Sequence, residues 1–195
     1  SSDASKPFVF CCLNNTYKIS EAEIEAWCQI LQRCKHSSLL LLSDNQNAQE
    51  SLSKIFTERF LIDRIKFVPR SSHYKYLKKL SEVDLFLDTF LVNAHTTAAD
   101  ALRVGTPLLT VFGNKFASRV AASLLHHIGA SSLICRDRQD YIEKAVHFYE
   151  NRDELEVLRR SLGKRSNILF DPVSYVKRIE ELYIRVLKHW QNNPI

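Results

Sequence analysis

Residues 87–100 read LDTFLVNAHTTAAD, an apolar strand that leads through a polar loop directly into a helix. A helix N-terminus exposes unpaired N–H groups and the positive end of the helix dipole, so it attracts phosphate. The imidazole of His95 and the hydroxyls of Thr96 and Thr97 can all donate hydrogen bonds to phosphate oxygens. Asp100 follows one turn later, at a spacing that suits a sugar hydroxyl. The stretch predicts a nucleotide-diphosphate site.

A purely structural interpretation of the same residues remains open at this point. Threonine is a common N-cap, so Thr96 or Thr97 can serve only to cap the helix, with His95 as an ordinary loop residue. Asp100 can equally be an acid that interacts with the dipole of the first turn. The rest of the chain has to decide between the two interpretations.

Outward from this stretch, short apolar strands alternate with amphipathic helices. A helix over 20–34 follows a strand over 8–13 and opens with a Ser20/Glu23 capping box. The other predicted strands are 39–42, 65–68, 83–87, 108–111 and 132–135, and the other helices are 46–60, 74–80, 97–104, 116–128, 139–149, 153–162 and 173–190. This order predicts an α/β fold with a doubly wound parallel sheet covered on both faces.

The helical periodicity also predicts which side chains face inward. For helix 46–60 these are Leu52, Ile55, Phe56 and Phe60. The last helix carries an apolar stripe that we expect to pack against another surface, formed by Val176, Ile179, Tyr183, Val186 and Trp190.

Composition narrows the class of protein. With 195 residues, 45% of them hydrophobic, the chain can bury one domain core, and we divide it into a flexible segment 1–7, a lobe 8–165 and a helical tail 166–195. Lys and Arg number 27 against 22 acids, a scattered net charge of +5 that favours a small anionic ligand over nucleic acid. The four glycines form neither a dinucleotide fingerprint nor a Walker loop.

Location is also predicted from composition. No apolar run is long enough to span a bilayer and the polar start shows no signal peptide, so we expect no membrane partner and a chain that begins inside a longer parent. The five cysteines contain no C-x-x-C pair, and we expect reduced, mostly buried thiols in the cytoplasm or nucleus. They are Cys11, Cys12, Cys28, Cys34 and Cys135.

Four motifs in fixed order carry a family resemblance. They are LNNTYKI at 13–19, DT at 88–89 with NAHTT at 93–97, GTP at 105–107, and ASRVAAS at 117–123. The chain resembles the carboxy-terminal half of the catalytic region of the protein O-GlcNAc transferases from about Phe8 to Trp190. The resemblance implies a GT-B fold, in which this chain is the Rossmann-like carboxy-terminal lobe that holds the nucleotide sugar.

The resemblance also assigns roles to residues. The family's Asn/Gln-x-x-Lys loop falls on Asn15 and Lys18, where the ammonium of Lys18 would stabilise the UDP leaving group and act as the catalytic residue. The family's diphosphate cradle falls on His95, Thr96 and Thr97. The acid that would accept a hydrogen bond from the ribose falls on Asp100.

This sequence departs from the family pattern on the base side. The family's base-contacting His falls on Tyr76, which can still stack on a pyrimidine, and Lys79 replaces a family Arg. His73 falls where the family often has Lys. Asn15 in place of Gln occurs in the related fucosyltransferase branch, which uses a guanine nucleotide. His95 before Thr96 and Thr97 follows the GlcNAc transferase pattern.

The resemblance therefore implies an inverting enzyme lobe that binds UDP-GlcNAc or UDP and serves transfer of GlcNAc to Ser or Thr of intracellular proteins. No carboxylate pair suited to Mg²⁺ lies near the phosphate loops, so we expect neither a metal nor another cofactor. The expected partners are protein acceptors and the amino-terminal catalytic lobe and TPR repeats of a parent chain. Without these, we expect the chain to be inactive.

Three alternatives remain. The chain can be the lobe of a GDP-fucose-dependent protein O-fucosyltransferase, or of a protein glycosyltransferase that uses another UDP-sugar. It can also be a non-catalytic binding module that keeps the fold without transfer. The last alternative predicts negligible affinity for UDP.

Overall fold

The computed structural model describes residues 6–43 and 45–193, in which six strands form one parallel sheet. The strands are β1 (Phe8–Cys12), β2 (Ser37–Ser43), β3 (Ile65–Pro69), β4 (Leu85–Leu87), β5 (Leu108–Val111) and β6 (Ile134–Cys135). Their order across the sheet is β3-β2-β1-β4-β5-β6, and β1 pairs with β2 on one side and β4 on the other. The predicted doubly wound sheet is confirmed.

Within the described residues, eight α-helices connect or follow these strands. They are α1 (Glu21–Arg33), α2 (Gln46–Glu58), α3 (His73–Glu82), α4 (Thr96–Arg103), α5 (Val120–His127), α6 (Arg138–Glu150), α7 (Arg152–Arg165) and α8 (Pro172–Asn192). Helix α1 packs against α6 on one face of the sheet, whereas α4 contacts α3 and α5 on the other. Apolar side chains of both layers are buried against the sheet and form one core.

The capping box at the start of α1 is confirmed. The Ser20 backbone N–H donates to Glu23 Oε2 at 2.7 Å, and the Ala22 N–H donates to Ser20 Oγ at 3.3 Å. The helix buries the face that carries Trp27, whose indole N–H donates to the Tyr141 hydroxyl of α6 at 3.2 Å. Side-chain capping and this contact together fix α1 on the sheet.

Helix α4 ends at a close approach between two elements. Gly105 follows the helix at φ +77°, and a Cβ there would lie 3.3 Å from the Arg159 carbonyl oxygen of α7. A residue with a side chain would be strained both by this conformation and by the neighbouring helix. The glycine therefore lets α7 pack closely behind α4.

Two predictions about local structure are wrong. Phe60 does not face inward; α2 ends at Glu58, and Phe60 adopts a left-handed φ of 56° that leaves its side chain 95% exposed while Leu61 is buried. The segment 116–128 is not one helix, because a short 3-10 helix, Phe116–Ser118, precedes α5.

The apolar stripe of α8 lies on the surface of this chain, with Val176 50% and Tyr183 69% exposed. Of the predicted flexible segment 1–7, residues 1–5 lie outside the described residues, as do 194–195 of the predicted tail. All five cysteines are free and buried, as expected.

Candidate nucleotide-diphosphate site

The loops after β1 and β4 meet at the carboxyl edge of the sheet. Strands β1 and β4 are neighbours, yet their connections lead to opposite faces, and such a switch point is where α/β sheets bind ligands. The Lys18 ammonium donates to the Asn93 carbonyl oxygen at 2.9 Å. The predicted proximity of the 14–18 and 93–97 loops is therefore found in the structure.

The N-terminus of α4 begins in the second of these loops. His95 occupies the N-cap position and makes no side-chain capping bond, and Thr96 and Thr97 lie in the first turn. The interpretation of either threonine as the N-cap is therefore wrong. His95 Nε2 lies 3.4 Å from the Ala117 carbonyl oxygen, on the side of the loop where the Asn93 N–H also bonds Ala117 O. The first-turn N–H groups thus lack the side-chain cap that many helices have.

A cleft of about 540 Å³ opens beside this helix end. Six of the eight predicted site residues line it, namely Asn15, Tyr76, Lys79, Thr96, Thr97 and Asp100. Asp100 is 8% exposed. Lys18 and His95 are not in its lining; they contact the Asn93 and Ala117 carbonyl groups instead. Six of the predicted site residues therefore line the cleft, whereas Lys18 and His95 lie outside its lining, near the N-terminus of α4.

Tyr76 links the wall of the cleft to the helix end. Burial raises the pKa of the Tyr76 hydroxyl, and a hydrogen bond with the side chain of Thr97 opposes this rise. Its ring lies 6.1 Å from the ring of His73, tilted by 31°. An aromatic surface thus stands at the position where the family pattern has a base-contacting His.

Several cleft residues were missed by the sequence analysis or not assigned to the site. They are Arg70, Ser71, His73 and Lys75, together with apolar groups from the strand ends. Arg70 Nη2 donates to Asn15 Oδ1 at 2.6 Å, and Lys79 pairs with Glu82 at 3.1 Å. Ligands bind at the carboxyl ends of the strands in such sheets, and the loop after β3 also begins there. The segment 70–72 could therefore have been predicted to belong to the site. Arg70, Lys75 and Lys79 make the rim of the cleft basic.

A buried polar network lies behind the 93–97 loop. Asp88, at the end of β4, is 0% exposed and accepts hydrogen bonds from Asn14, Thr89, Ala94 and Thr110. Burial raises the pKa of this carboxyl from 3.8 to about 6, although the four hydrogen bonds oppose the rise. The network has no counterpart among the predicted site residues.

The described residues contain neither a metal-binding cluster nor a membrane-spanning helix. Among residues 6–43 and 45–193, no group of three His, Cys, Asp or Glu side chains is arranged to hold a metal ion. None of the helices in the same ranges is both long and apolar enough to cross a bilayer. The expectation of a metal-independent reaction stays a prediction.

The chain is similar in sequence to known glycosyltransferases. The profile of glycosyl transferase family 41 matches residues 3–179. A UDP-N-acetylglucosamine–peptide N-acetylglucosaminyltransferase of Caenorhabditis elegans is 33% identical over 94% of this chain, and a probable one of Arabidopsis thaliana is 31% identical over 92%. The chain spans only 16% and 19% of these two proteins.

Solved structures show the same fold. An O-GlcNAc transferase of Thermobaculum terrenum superposes with a TM-score of 0.86 at 24% identity, over 94% of this chain and 36% of that one. The Anabaena protein Alr3699/HepE, solved with UDP and glucose, gives a TM-score of 0.68 at 16% identity, over 93% of this chain and 49% of that one. The sequence matches, which cover nearly all of the chain, establish that it belongs to glycosyl transferase family 41.

Proposed function

We propose that this chain is the UDP-GlcNAc-binding, carboxy-terminal catalytic lobe of a protein O-GlcNAc transferase. The observation that carries the proposal is the contact between the Lys18 ammonium and the Asn93 carbonyl, 2.9 Å long, beside an α4 N-terminus without a side-chain cap. A cation and a positive helix end side by side suit a diphosphate. Relatives named as peptide N-acetylglucosaminyltransferases support the choice of sugar.

The donor would lie across the helix end. The base and ribose would occupy the cleft, with the base against Tyr76 and Lys79 and the ribose near Asp100, which can accept a hydroxyl hydrogen bond. The diphosphate would receive hydrogen bonds from the Thr96 and Thr97 amides. Asn15, which lines the cleft and accepts a hydrogen bond from Arg70, would contact the nucleotide from the β1 side. The sugar would then point toward the side where Lys18 and His95 lie.

The reaction would be an in-line displacement at the anomeric carbon. The oxygen of a Ser or Thr hydroxyl forms a bond to this carbon from one face and releases its proton to solvent, while the bond to the β-phosphate oxygen breaks on the other face, which inverts the configuration. Negative charge develops on the departing diphosphate. The Lys18 ammonium and the dipole of α4 stabilise that charge without proton transfer, so this role requires no metal.

The proposal includes partners beyond this chain, because the chain spans less than a fifth of the curated relatives named above. The amino-terminal catalytic lobe of the parent would pack on the exposed apolar stripe of α8, and TPR repeats would select protein acceptors. The chain would bind UDP but not transfer sugar alone. Five free, buried thiols suit a reducing compartment such as the cytoplasm or nucleus.

Calorimetric titration of the chain with UDP and with GDP tests the proposal. We expect saturable UDP binding that is tighter than GDP binding by at least about tenfold, since a cleft matched to one base leaves polar groups unpaired with the other. Tighter binding of GDP would contradict the proposal and favour the fucosyltransferase alternative. Absence of binding for both nucleotides would contradict it in favour of a non-catalytic module.

A further inference from the structure

We propose that Asp88 is the positioning residue of the diphosphate site: it holds the 88–95 loop and Asn14 in the arrangement that brings Lys18 to the N-terminus of α4. This inference rests on the proposed function. It concerns a buried acid that does not line the cleft and that the reaction described above does not use.

The two oxygens of Asp88 have separate partners. Oδ1 accepts from the Thr89 N–H at 2.8 Å, the Ala94 N–H at 2.6 Å and Asn14 Nδ2 at 3.1 Å. Oδ2 accepts from the Thr110 hydroxyl of β5 at 2.8 Å. One oxygen therefore gathers both site loops, and the other anchors the carboxylate to the sheet. Hydrogen bonds to a buried carboxylate are among the stronger ones in proteins.

These bonds fix the backbone that forms the helix end. Ala94 directly precedes His95, the N-cap residue of α4. Asn93, one residue earlier, presents its carbonyl oxygen to Lys18 and donates from Nδ2 to the Thr89 carbonyl oxygen at 2.8 Å. The loop is thus closed by bonds at both ends, and the contact with Lys18 depends on its shape.

A second buried carboxylate supports the middle of the loop. Glu23 of α1 is 0% exposed, and its Oε1 accepts the Phe90 N–H at 2.7 Å. Glu23 also takes part in the capping box of α1, so it has a structural use of its own. Asp88, by contrast, directs all four of its side-chain contacts to the two site loops and β5, which assigns the positioning role to Asp88.

The role requires an acceptor, and it does not require a negative charge. Asparagine at this position keeps one oxygen for Thr89, Ala94 and Asn14, and its amide can donate to the Thr110 hydroxyl oxygen. Alanine removes all four acceptor contacts. The two substitutions therefore separate the positioning of the loop from the charge of the side chain.

The test is a calorimetric titration of the chain with UDP for the wild type, Asp88→Ala and Asp88→Asn, each first checked for a cooperative thermal transition. We expect Asp88→Ala to weaken UDP binding by at least about tenfold, as loss of several buried hydrogen bonds implies, and Asp88→Asn to bind within about threefold of the wild type. A folded Asp88→Ala variant with wild-type affinity would overturn the proposal. An equal loss in both variants would also overturn it, because charge would then be what matters.

A second pair of variants keeps the test decisive if Asp88→Ala does not fold. Thr110→Val removes the anchor to β5 with little change in shape, and Thr110→Ser keeps the hydroxyl. We expect Thr110→Val to bind UDP about threefold to tenfold more weakly than Thr110→Ser, consistent with one lost hydrogen bond to a carboxylate. Equal affinities of this pair would refute the positioning role.

Amide hydrogen exchange without ligand separates the two proposals. If Asp88 holds the loop, the Ala94 N–H exchanges faster in Asp88→Ala or Thr110→Val than in the wild type and stays protected in Asp88→Asn. If the wild type does not bind UDP but this exchange pattern is present, the proposed function is rejected. Asp88 then holds the loop but positions no diphosphate site. UDP binding with unchanged exchange in every variant would reject the positioning role alone.

Discussion

The phosphate end and the base end of the candidate site are built differently. Behind the phosphate end, Asn14, Asp88 and Thr110 are buried and joined by hydrogen bonds of 2.8–3.1 Å. At the base end, His73 and Lys75 are exposed on the rim of an open cleft. A buried network holds its groups in place before a ligand arrives, whereas exposed side chains must be ordered on binding. We infer that the phosphate end is preorganised and that the base end can vary.

Three of the residues that the sequence analysis expects to depart from the family pattern lie at the base end. Tyr76, His73 and Lys79 all line the cleft. The NAHTT motif at 93–97, by contrast, lies beside the buried network, since the Ala94 N–H donates to Asp88 Oδ1. Four experiments test how sharp this division is.

The largest effect should come from the buried acid itself. The pKa of Asp88 rises from 3.8 in the unfolded chain to about 6 in the folded protein, so between these values only the folded state holds the proton. Asp88 therefore contributes stability at low pH that is lost as the pH rises through about 6, to a total of about 3 kcal/mol. In Asp88→Asn this dependence is absent.

Urea denaturation of the wild type and Asp88→Asn at several pH values measures this effect. The free energy of unfolding of the wild type, minus that of the variant, should fall between about pH 4 and about pH 7. The shared pH dependence of all other groups cancels in the difference. A difference that stays constant, or that rises with pH, would show that the pKa of Asp88 is not raised in the folded protein.

The next effect concerns the cation of the phosphate end. Lys18→Ala should weaken the binding of UDP and of inorganic pyrophosphate alike, each by at least about 1 kcal/mol, because a charge-assisted contact to the diphosphate is lost. Lys78→Ala is the matched control, since Lys78 is exposed on α3 and does not line the cleft. Unchanged calorimetric affinities in Lys18→Ala would remove Lys18 from the site.

A smaller effect should appear when the base end alone is changed. Tyr76→Ala should weaken UDP binding by about 1 kcal/mol through lost stacking and leave pyrophosphate binding unchanged. Tyr76→Phe keeps the ring and should bind UDP nearly as well as the wild type. If Tyr76→Ala and Tyr76→Phe lose the same affinity, the hydroxyl contact to Thr97 matters and the division between the two ends is less sharp than we infer.

The smallest effect is expected at the rim. Lys75→Ala should reduce UDP affinity by less than about 0.5 kcal/mol at low salt, because an exposed charge is screened by solvent and ions. The effect should disappear at about 1 M salt. A loss as large as that of Lys18→Ala would mean that the rim holds the diphosphate. The division between a phosphate end and a base end would then be wrong.

Much of this architecture could be predicted from the sequence, because local patterns decide it. Alternation of apolar runs with amphipathic segments predicts the sheet, and the Ser20/Glu23 pair predicts the start of α1. The prediction that Phe60 faces inward was wrong, because a residue in the left-handed conformation after the end of a helix turns its side chain away from the apolar face of that helix. The periodicity of α2 contains no sign of where the helix stops.

The candidate site was predictable where it follows the motifs and less so elsewhere. Loops at the carboxyl ends of β1 and β4 had to meet, and the contact of Lys18 with Asn93 shows that they do. The four contacts of Asp88 reach groups up to 74 residues away from it in the chain, so no local pattern reveals them. The available signs were an acid at the end of an apolar strand and its place in the DT motif at 88–89.

The most direct test of the account is a crystal structure of this chain with UDP bound. We predict diphosphate oxygens within hydrogen-bond distance of the Thr96 and Thr97 amides, at about 2.7–3.2 Å, with the Lys18 ammonium turned from the Asn93 carbonyl to the diphosphate. UDP bound elsewhere, or a diphosphate that contacts neither these amides nor Lys18, would contradict the account.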